Sequence, residues 1–185
     1  MAERYEIRFS GAGGQGLITA GIILAEAASI IEGKHAVQSQ SYGPEARGGA
    51  SKSEVIIGDG PIDYPKATIV DACLAMTQEA ADKYANGIKD GGILLLDSDF
   101  APNAPEGNFK VYRIPIMRAA KTEIGREIVA NVIALGAMIA MTGVVSREAG
   151  EKAVLAKVPE AFVDLNKKAY SLGFEKAKEV LAAEG

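Results

Sequence analysis

"FSGAGGQGLITAGIILAEAA", Phe9–Ala28, carries the reading on which the fold turns. It runs as the end of a strand, a glycine loop and a helix. The strand is YEIRFS (Tyr5–Ser10), and the helix extends from about Leu17 to Ile31 with Gly33 as its stop. Within GIILAEAASII the apolar residues cover more than one stripe, as expected of a helix laid on a sheet. Gly11, Gly13 and Gly16 satisfy G-x-G-x-x-G directly after a first strand, the position in which that pattern has meaning. Without side chains the loop lets a ligand approach the backbone. The helix behind it offers N–H donors and the positive end of its dipole to a phosphate. The competing reading is that these glycines only allow the helix to pack closely on the sheet.

A loop of the NAD type has a second requirement. An acidic residue about 20 residues on, at the tip of the second strand, holds the ribose hydroxyls. The second strand predicted here is HAVQSQS (His35–Ser41), and its tip reads Gln38-Ser39-Gln40-Ser41. It has no carboxylate, and no arginine that would select NADP. Gly14 and Gln15 also make the loop flatter and more polar than a minimal turn. Gln15 is suited to a ligand amide, a phosphate or a neighbouring subunit. An NAD-dependent dehydrogenase therefore stands as an alternative that lacks one of its two signatures.

Outward from this loop the chain mixes strands with helices and then turns helical. SEVII (Ser53–Ile57) and a short segment around Ile62 flank GDG, a hairpin signal. ACLAM (Ala72–Met76) and GILLLD (Gly92–Asp97) are short buried strands. Between them lies a helix capped by Thr77 and closed by Asn86-Gly87. FKVYRIP (Phe109–Pro115) is the last strand. Helices follow at about Met117–Glu123, Glu127–Thr142, Ser146–Ala156 and Ala161–Leu181, broken at Gly125, Gly143 and Pro159. The pattern predicts a single α/β domain over residues 1–185. Its doubly wound, largely parallel sheet has helices on both faces, a β-hairpin laid on it and a helical C-terminal third.

Composition narrows the function. The 185 residues are 48% hydrophobic, enough for one sizeable core, and carry a net charge of −4. A mildly acidic chain is poorly suited to a phosphate backbone, so no nucleic-acid partner is expected. One cysteine, Cys73, and one histidine, His35, cannot build an internal disulfide, an iron–sulfur cluster or a Cys/His zinc site. With no basic-then-apolar leader before the first strand, this cysteine usage points to the cytoplasm. Ile128–Val145 is uncharged, but Asn131, Gly136 and Thr142 interrupt it. It reads as a buried helix and not as a membrane span, and another subunit is one candidate for its cover.

A second loop, SYGPEARGGASKSE (Ser41–Glu54), sets Tyr42, Glu45 and Arg47 among Gly43, Pro44, Gly48 and Gly49. Following the second strand, it is expected at the same sheet edge as the first loop. Arg47 is suited to bidentate contact with a phosphate or carboxylate, and Glu45 to orienting it or to acid/base work. The alternative is a solvated turn with a surface ion pair.

The ordered series GAGGQG, SYGPEARGG, SKSEV, IDYP and ANVIALGAMIAMTGVV resembles, over nearly the whole chain, the gamma subunit of the 2-oxoacid:ferredoxin oxidoreductases. The resemblance implies a Rossmann-like fold and a subunit inactive alone. It works with alpha and beta subunits, with a delta subunit as a further candidate, and indirectly with ferredoxin. Such complexes oxidatively decarboxylate a 2-oxoacid with coenzyme A, giving an acyl-CoA, carbon dioxide and reduced ferredoxin. Thiamine diphosphate, magnesium and iron–sulfur clusters are implied on partner subunits, with no cofactor tightly bound to this chain and coenzyme A as the substrate it helps to bind. The two loops incline the resemblance to the 2-oxoglutarate type over the pyruvate or ketoisovalerate types. Matched residue by residue, the ligand-contact candidates are Gly11, Gly13, Gly14, Gln15 and Gly16 in the first loop, with Tyr42 and Arg47 in the second. No catalytic residue and no metal ligand is implied. Arg47 is left between a coenzyme A phosphate, the 2-oxoacid and a partner chain. A purely structural subunit, whose loops bind only protein, remains a third reading beside the NAD enzyme.

Other polar residues have simpler roles. GDG (Gly58–Gly60) with Asn86 mimics a thiamine diphosphate–magnesium motif, but Pro61 and Gly87 assign the two pieces to a hairpin turn and a helix cap. Cys73, in DACLAM, reads as a buried structural thiol and His35 as structural. Asp71 and Asp97 read as turn caps. Asn131 is a polar side chain in an apolar helix and needs a partner, either a neighbouring loop or a ligand.

Overall fold

The computed structural model describes residues 4–43 and 49–184. Six strands form one sheet in the order β2-β3-β1-β4-β5-β6. They are β1 Arg4–Ala12, β2 His35–Tyr42, β3 Ala50–Gly58, β4 Val70–Ala75, β5 Ile88–Asp97 and β6 Lys110–Ile114. The neighbours β1, β4, β5 and β6 are parallel. β3 is antiparallel to both β1 and β2. β2 therefore still points the same way as β1, but from one place further out. This is the expected open α/β sheet with helices on both faces, in a mixed form.

Side-chain alternation assigns the faces. In β1, Ile7 and Phe9 enter the larger core, whereas Arg8 and Ser10 point the other way. In β4, Ala72 and Leu74 join the larger core and Cys73 and Ala75 the smaller one. The larger core is covered by α1 (Leu17–Glu26), α4 (Ala130–Thr142), α5 (Arg147–Lys157) and α6 (Val163–Ala182). The smaller is covered by α2 (Gln78–Tyr84). The helix expected over Leu17–Ile31 widens into a π-helix at Ala27–Ile31, and α3 (Ile116–Ala119) does the same at Ala120–Ile124.

Helix α4 is the apolar stretch noted in the sequence, and its cover comes from its own chain. Here α6 crosses so closely that a Cβ on Gly173 would fall 2.8 Å from Ala137 N and 3.1 Å from Gly136 Cα. Cover by another subunit, entertained from the sequence, is not needed for this helix. Among the described residues no helix is long and apolar enough to cross a membrane.

The hairpin lies elsewhere than the GDG signal placed it. β2 and β3 form it, in register from His35 opposite Gly58 to Tyr42 opposite Ser51. The second loop thus shrinks to residues 43–49, and its flanks are strand. Beyond Gly58 the chain leaves the sheet, and Ile62 is in no strand. Pro61 has no N–H to give a ladder. The β2–β3 pairing, by contrast, brings Val55 and Ile57 into the larger core.

On the smaller face an ion network stands in for apolar packing. Arg8 Nη2 lies 2.8 Å from Glu54 Oε1, and both side chains are buried. Arg8 Nη1 also donates to the carbonyls of Tyr84 (2.7 Å) and Asn86 (2.9 Å), at the end of α2. Lys52 Nζ donates to Glu54 Oε1 at 2.8 Å. Burial by itself would raise the Glu54 carboxyl. The Lys52 hydrogen bond and the Arg8 charge outweigh it and hold the group below its ordinary value.

Candidate functional site

β1 ends at Ala12 and α1 begins at Leu17, so Gly13–Gly16 forms the turn between them. Besides the turn's own bond from Gln15 N to Ala12 O at 3.3 Å, three hydrogen bonds pin it. Gln15 Oε1 accepts from Ala12 N at 2.8 Å, Gly13 N donates to Gly49 O at 3.2 Å, and Asn131 Nδ2 donates to Gly16 O at 3.2 Å. Gln15 is thus folded back on its own loop, its carbonyl committed. Gly11 sits at the end of β1, where a Cβ would fall 2.6 Å from Leu17 Cδ1 and 3.0 Å from Met76 Cβ. It serves close packing, the alternative weighed for the glycines as a group.

Gly16 is different. As N-cap of α1 it holds φ 75°, in the left-handed region, and brings no side chain to cap the helix. Among the described residues no side chain accepts from the first-turn amides of α1. Beside the turn opens a cleft of about 390 Å³, lined by Gly14, Gln15, Gly16, Met117, Glu127 and Asn131. A neighbouring groove of about 400 Å³ shares Ile128 and Asn131 with it and continues along Ile23, Val132 and Phe162. The opening lies between the β1–α1 turn and the stretch from α3 to the start of α4, which supplies Met117, Glu127 and Asn131.

The two glycine loops meet, as the sequence predicted. Gly49 O receives the Gly13 N–H at 3.2 Å, so the β3 end of the second loop abuts the first, and Gly43 N donates to Ala50 O at 3.0 Å, joining the two ends of the second loop. Arg47 and Glu45 lie outside the described residues, as do Pro44, Ala46 and Gly48. Tyr42 is 66% exposed on the outermost strand, and its hydroxyl accepts from Gln40 Nε2 at 3.4 Å.

The absent ribose carboxylate now has a structural reason. In an NAD fold the strand beside β1 runs parallel to it and ends at the ribose. Here β3 occupies that place in the opposite direction, and β2 is displaced one place outward, to two strand spacings or about 10 Å from β1. Gln38 turns to the inserted strand, donating to Ser53 Oγ at 2.9 Å. The carboxylate β3 does carry, Glu54, is committed to Arg8 and Lys52.

Of the residues set aside in the sequence, Asp97 is the expected cap, whereas Asp71 lies buried within β4 and bonds across strands, not at a turn. Asp97 accepts from the backbone N–H groups of Asp99, Phe100 and Met117, at 2.9, 3.1 and 2.9 Å. Asp71 accepts from Glu6 N at 2.7 Å and pairs with Lys89. Burial pushes the Cys73 thiol up to about 11, leaving it protonated at neutral pH. Among the described residues no group of His, Cys, Asp and Glu is placed to hold a metal ion. Sequence reasoning missed the Arg8–Glu54–Lys52 network. Its signal was charge at alternate positions in RYEIRF and SKSEV, which a half-buried strand face has no reason to carry unless the charges pair across strands.

Fold and cleft together define an open α/β domain with a glycine turn between its first strand and helix and an antiparallel strand, β3, where an NAD fold has a parallel one beside β1. Residues 6–176 match the family described as pyruvate ferredoxin/flavodoxin oxidoreductase. The chain belongs to that family, as a gamma-type subunit of a multi-subunit oxidoreductase. The 2-oxoglutarate synthase subunit KorC of Methanocaldococcus jannaschii is 51% identical to it over 179 residues, 96% of either chain. The keto/oxoacid ferredoxin oxidoreductase gamma subunit from Geobacter sulfurreducens PCA is 65% identical, with a TM-score of 0.91 over 97% of this chain and 99% of that one. The 2-oxoglutarate:ferredoxin oxidoreductase from Magnetococcus marinus, solved with 2-oxoglutarate, coenzyme A and succinyl-CoA bound, is 26% identical. It superposes with a TM-score of 0.83 over 96% of this chain and 31% of that one.

Proposed function

We propose that the chain is the gamma subunit of a 2-oxoglutarate:ferredoxin oxidoreductase and that its glycine-loop cleft binds the phosphates of coenzyme A. The observation that carries this reading is the uncapped start of α1 behind left-handed Gly16, opening on a cleft. Such a helix end supplies N–H donors and partial positive charge to a bound anion. The presence of coenzyme A and succinyl-CoA in the Magnetococcus marinus enzyme supports the choice of ligand.

In this reading the complex works in the cytoplasm. It releases carbon dioxide from 2-oxoglutarate, passes the succinyl group to the thiol of coenzyme A, and hands two electrons to ferredoxin. Alpha and beta subunits, and a delta subunit where there is one, carry thiamine diphosphate, magnesium and iron–sulfur clusters. A cluster takes several thiolates, and this chain has the one buried Cys73. The gamma chain contributes no reacting group. It presents Gly13, Gly14, Gln15 and Gly16 to the ligand, with Tyr42 and Arg47 from the second loop, while Gly11 lets the first loop close.

Gly14→Asn tests this. Gly14 has φ 89° and nothing within 4 Å of a built Cβ. Asn tolerates the left-handed region, so the fold is spared while a side chain enters the cleft. In the assembled complex KM for coenzyme A rises and KM for 2-oxoglutarate holds. Arg47→Ala moves it in the same direction. A KM for coenzyme A unchanged in both variants overturns the reading.

A further inference from the structure

We propose that Asn131 is a positioning residue for the coenzyme A site, holding the entrance of α1 in its ligand-ready form. The inference rests on the reading of the glycine-loop cleft as that site. Asn131 is the one polar side chain of α4 before its last residue, Thr142. A polar amide in an apolar helix costs solvation and helix propensity, so its presence calls for a specific partner. The partner is Gly16 O, at 3.2 Å.

That bond is not needed to satisfy the helix. Gly16 O already accepts from Ala20 N at 3.0 Å. What it adds is a fixed place for the N-cap. The other two pins, Gln15 to Ala12 and Gly13 to Gly49, hold the upstream part of the turn. Asn131 alone ties Gly16 to a separate element. Its Oδ1 has no donor among the described residues, and the side chain lines the cleft. It is therefore placed to accept from a ligand N–H or O–H beside the phosphates.

Without this pin the ligand must order the turn itself. Losing one hydrogen bond and part of one residue's backbone order corresponds to about a fivefold rise in KM for coenzyme A, about 1 kcal/mol. The test compares the assembled complex carrying Asn131→Ala, Asn131→Asp or Gly14→Asn with wild type, measuring both KM values, kcat and thermal midpoint. Asn131→Ala is expected to raise KM for coenzyme A about fivefold, with kcat at saturation and KM for 2-oxoglutarate held. Asn131→Asp, isosteric but with a charge facing the phosphates and no donor, raises it further. If Gly14→Asn raises that KM and both Asn131 variants leave it unchanged, the positioning role fails and the site stands. If the Asn131 variants move both KM values together with the thermal midpoint, the residue is merely structural and the proposal fails. If none of the three raises KM for coenzyme A, the site reading itself falls.

Discussion

The contact between Gly16 and Asn131 can be weighed by a double-mutant cycle on stability. Gly16→Ala incurs two costs. An L-residue at φ 75° costs about 1 kcal/mol. The new Cβ would also stand 2.7 Å from Asn131 Nδ2. The amide is the far end of a side chain and swings away, forfeiting its hydrogen bond to Gly16 O at about 1 kcal/mol. The single variant therefore loses about 2 kcal/mol. Asn131→Ala loses only the bond, about 1 kcal/mol, because Gly16 O keeps Ala20 N. In the double variant the clash with the amide is gone, the Cβ at position 131 alone standing close at 3.2 Å, and the bond is counted once, so the loss stays at about 2 and not about 3 kcal/mol, a coupling of about 1 kcal/mol. For a chain of this size each kcal/mol moves the thermal midpoint by about 2–4 °C. Gly16→Ala and the double variant should thus unfold together, about 4–8 °C below wild type, with Asn131→Ala about halfway. Urea midpoints with matched slopes give the same ordering as free energies. Strict additivity would refute the claim that the two residues bear on one another.

Two further outcomes follow from the packing around this site. Glu54→Gln leaves buried Arg8 without its counter-charge and should cost about 3 kcal/mol at neutral pH. Because the Glu54 carboxyl is held below its ordinary 4.5, the wild-type advantage is fully present above that pH and is lost as pH falls through the folded value. Melting curves of the two proteins should accordingly converge in acid, and a constant gap from pH 7 to 3 would sink the assignment. Gly173→Ala drives a Cβ against the backbone of α4, with Ala137 N at 2.8 Å and Gly136 Cα at 3.1 Å. Backbone cannot rotate aside as a side chain can, so overpacking of about 1–3 kcal/mol should exceed the gain of up to 1 kcal/mol in helix propensity. A variant as stable as wild type by urea denaturation would show that the crossing is looser than described.

The sequence was most informative where a single physical rule governs a whole element. Strand β1, helix α1 and the helix-rich end were legible because periodicity and glycine breaks speak for entire segments. α4 was legible as a buried helix for the same reason. What covers it was not, since the two glycines that let α6 approach, Gly136 and Gly173, sit 37 positions apart on different helices. The hairpin was misplaced because a local turn signal, GDG, was weighed without the competing pairing of β2 with β3. That pairing depends on which faces Val55 and Ile57 must bury, a tertiary fact. The Asn131–Gly16 contact spans 115 residues, and the sequence could say only that the amide needed some partner.

The inserted strand is what ties the sequence evidence to the function. The polar tip Gln38–Ser41, read alone, could mean a degenerate NAD site or no site at all. With β3 between β1 and β2, the ribose position of an NAD fold no longer exists, so no carboxylate at that tip could restore it. The start of α1 is untouched by the insertion, because a helix N-terminus depends only on the turn that precedes it. In the proposed function the chain thus keeps a helix start suited to a phosphate and lacks the strand arrangement that selects a nicotinamide dinucleotide. The insertion also brings Gly49, just before β3, against the first loop, where its carbonyl accepts the Gly13 N–H. Discrimination among phosphate-bearing ligands is then assigned, in the proposed function, to Asn131 on α4, a position outside the NAD fingerprint.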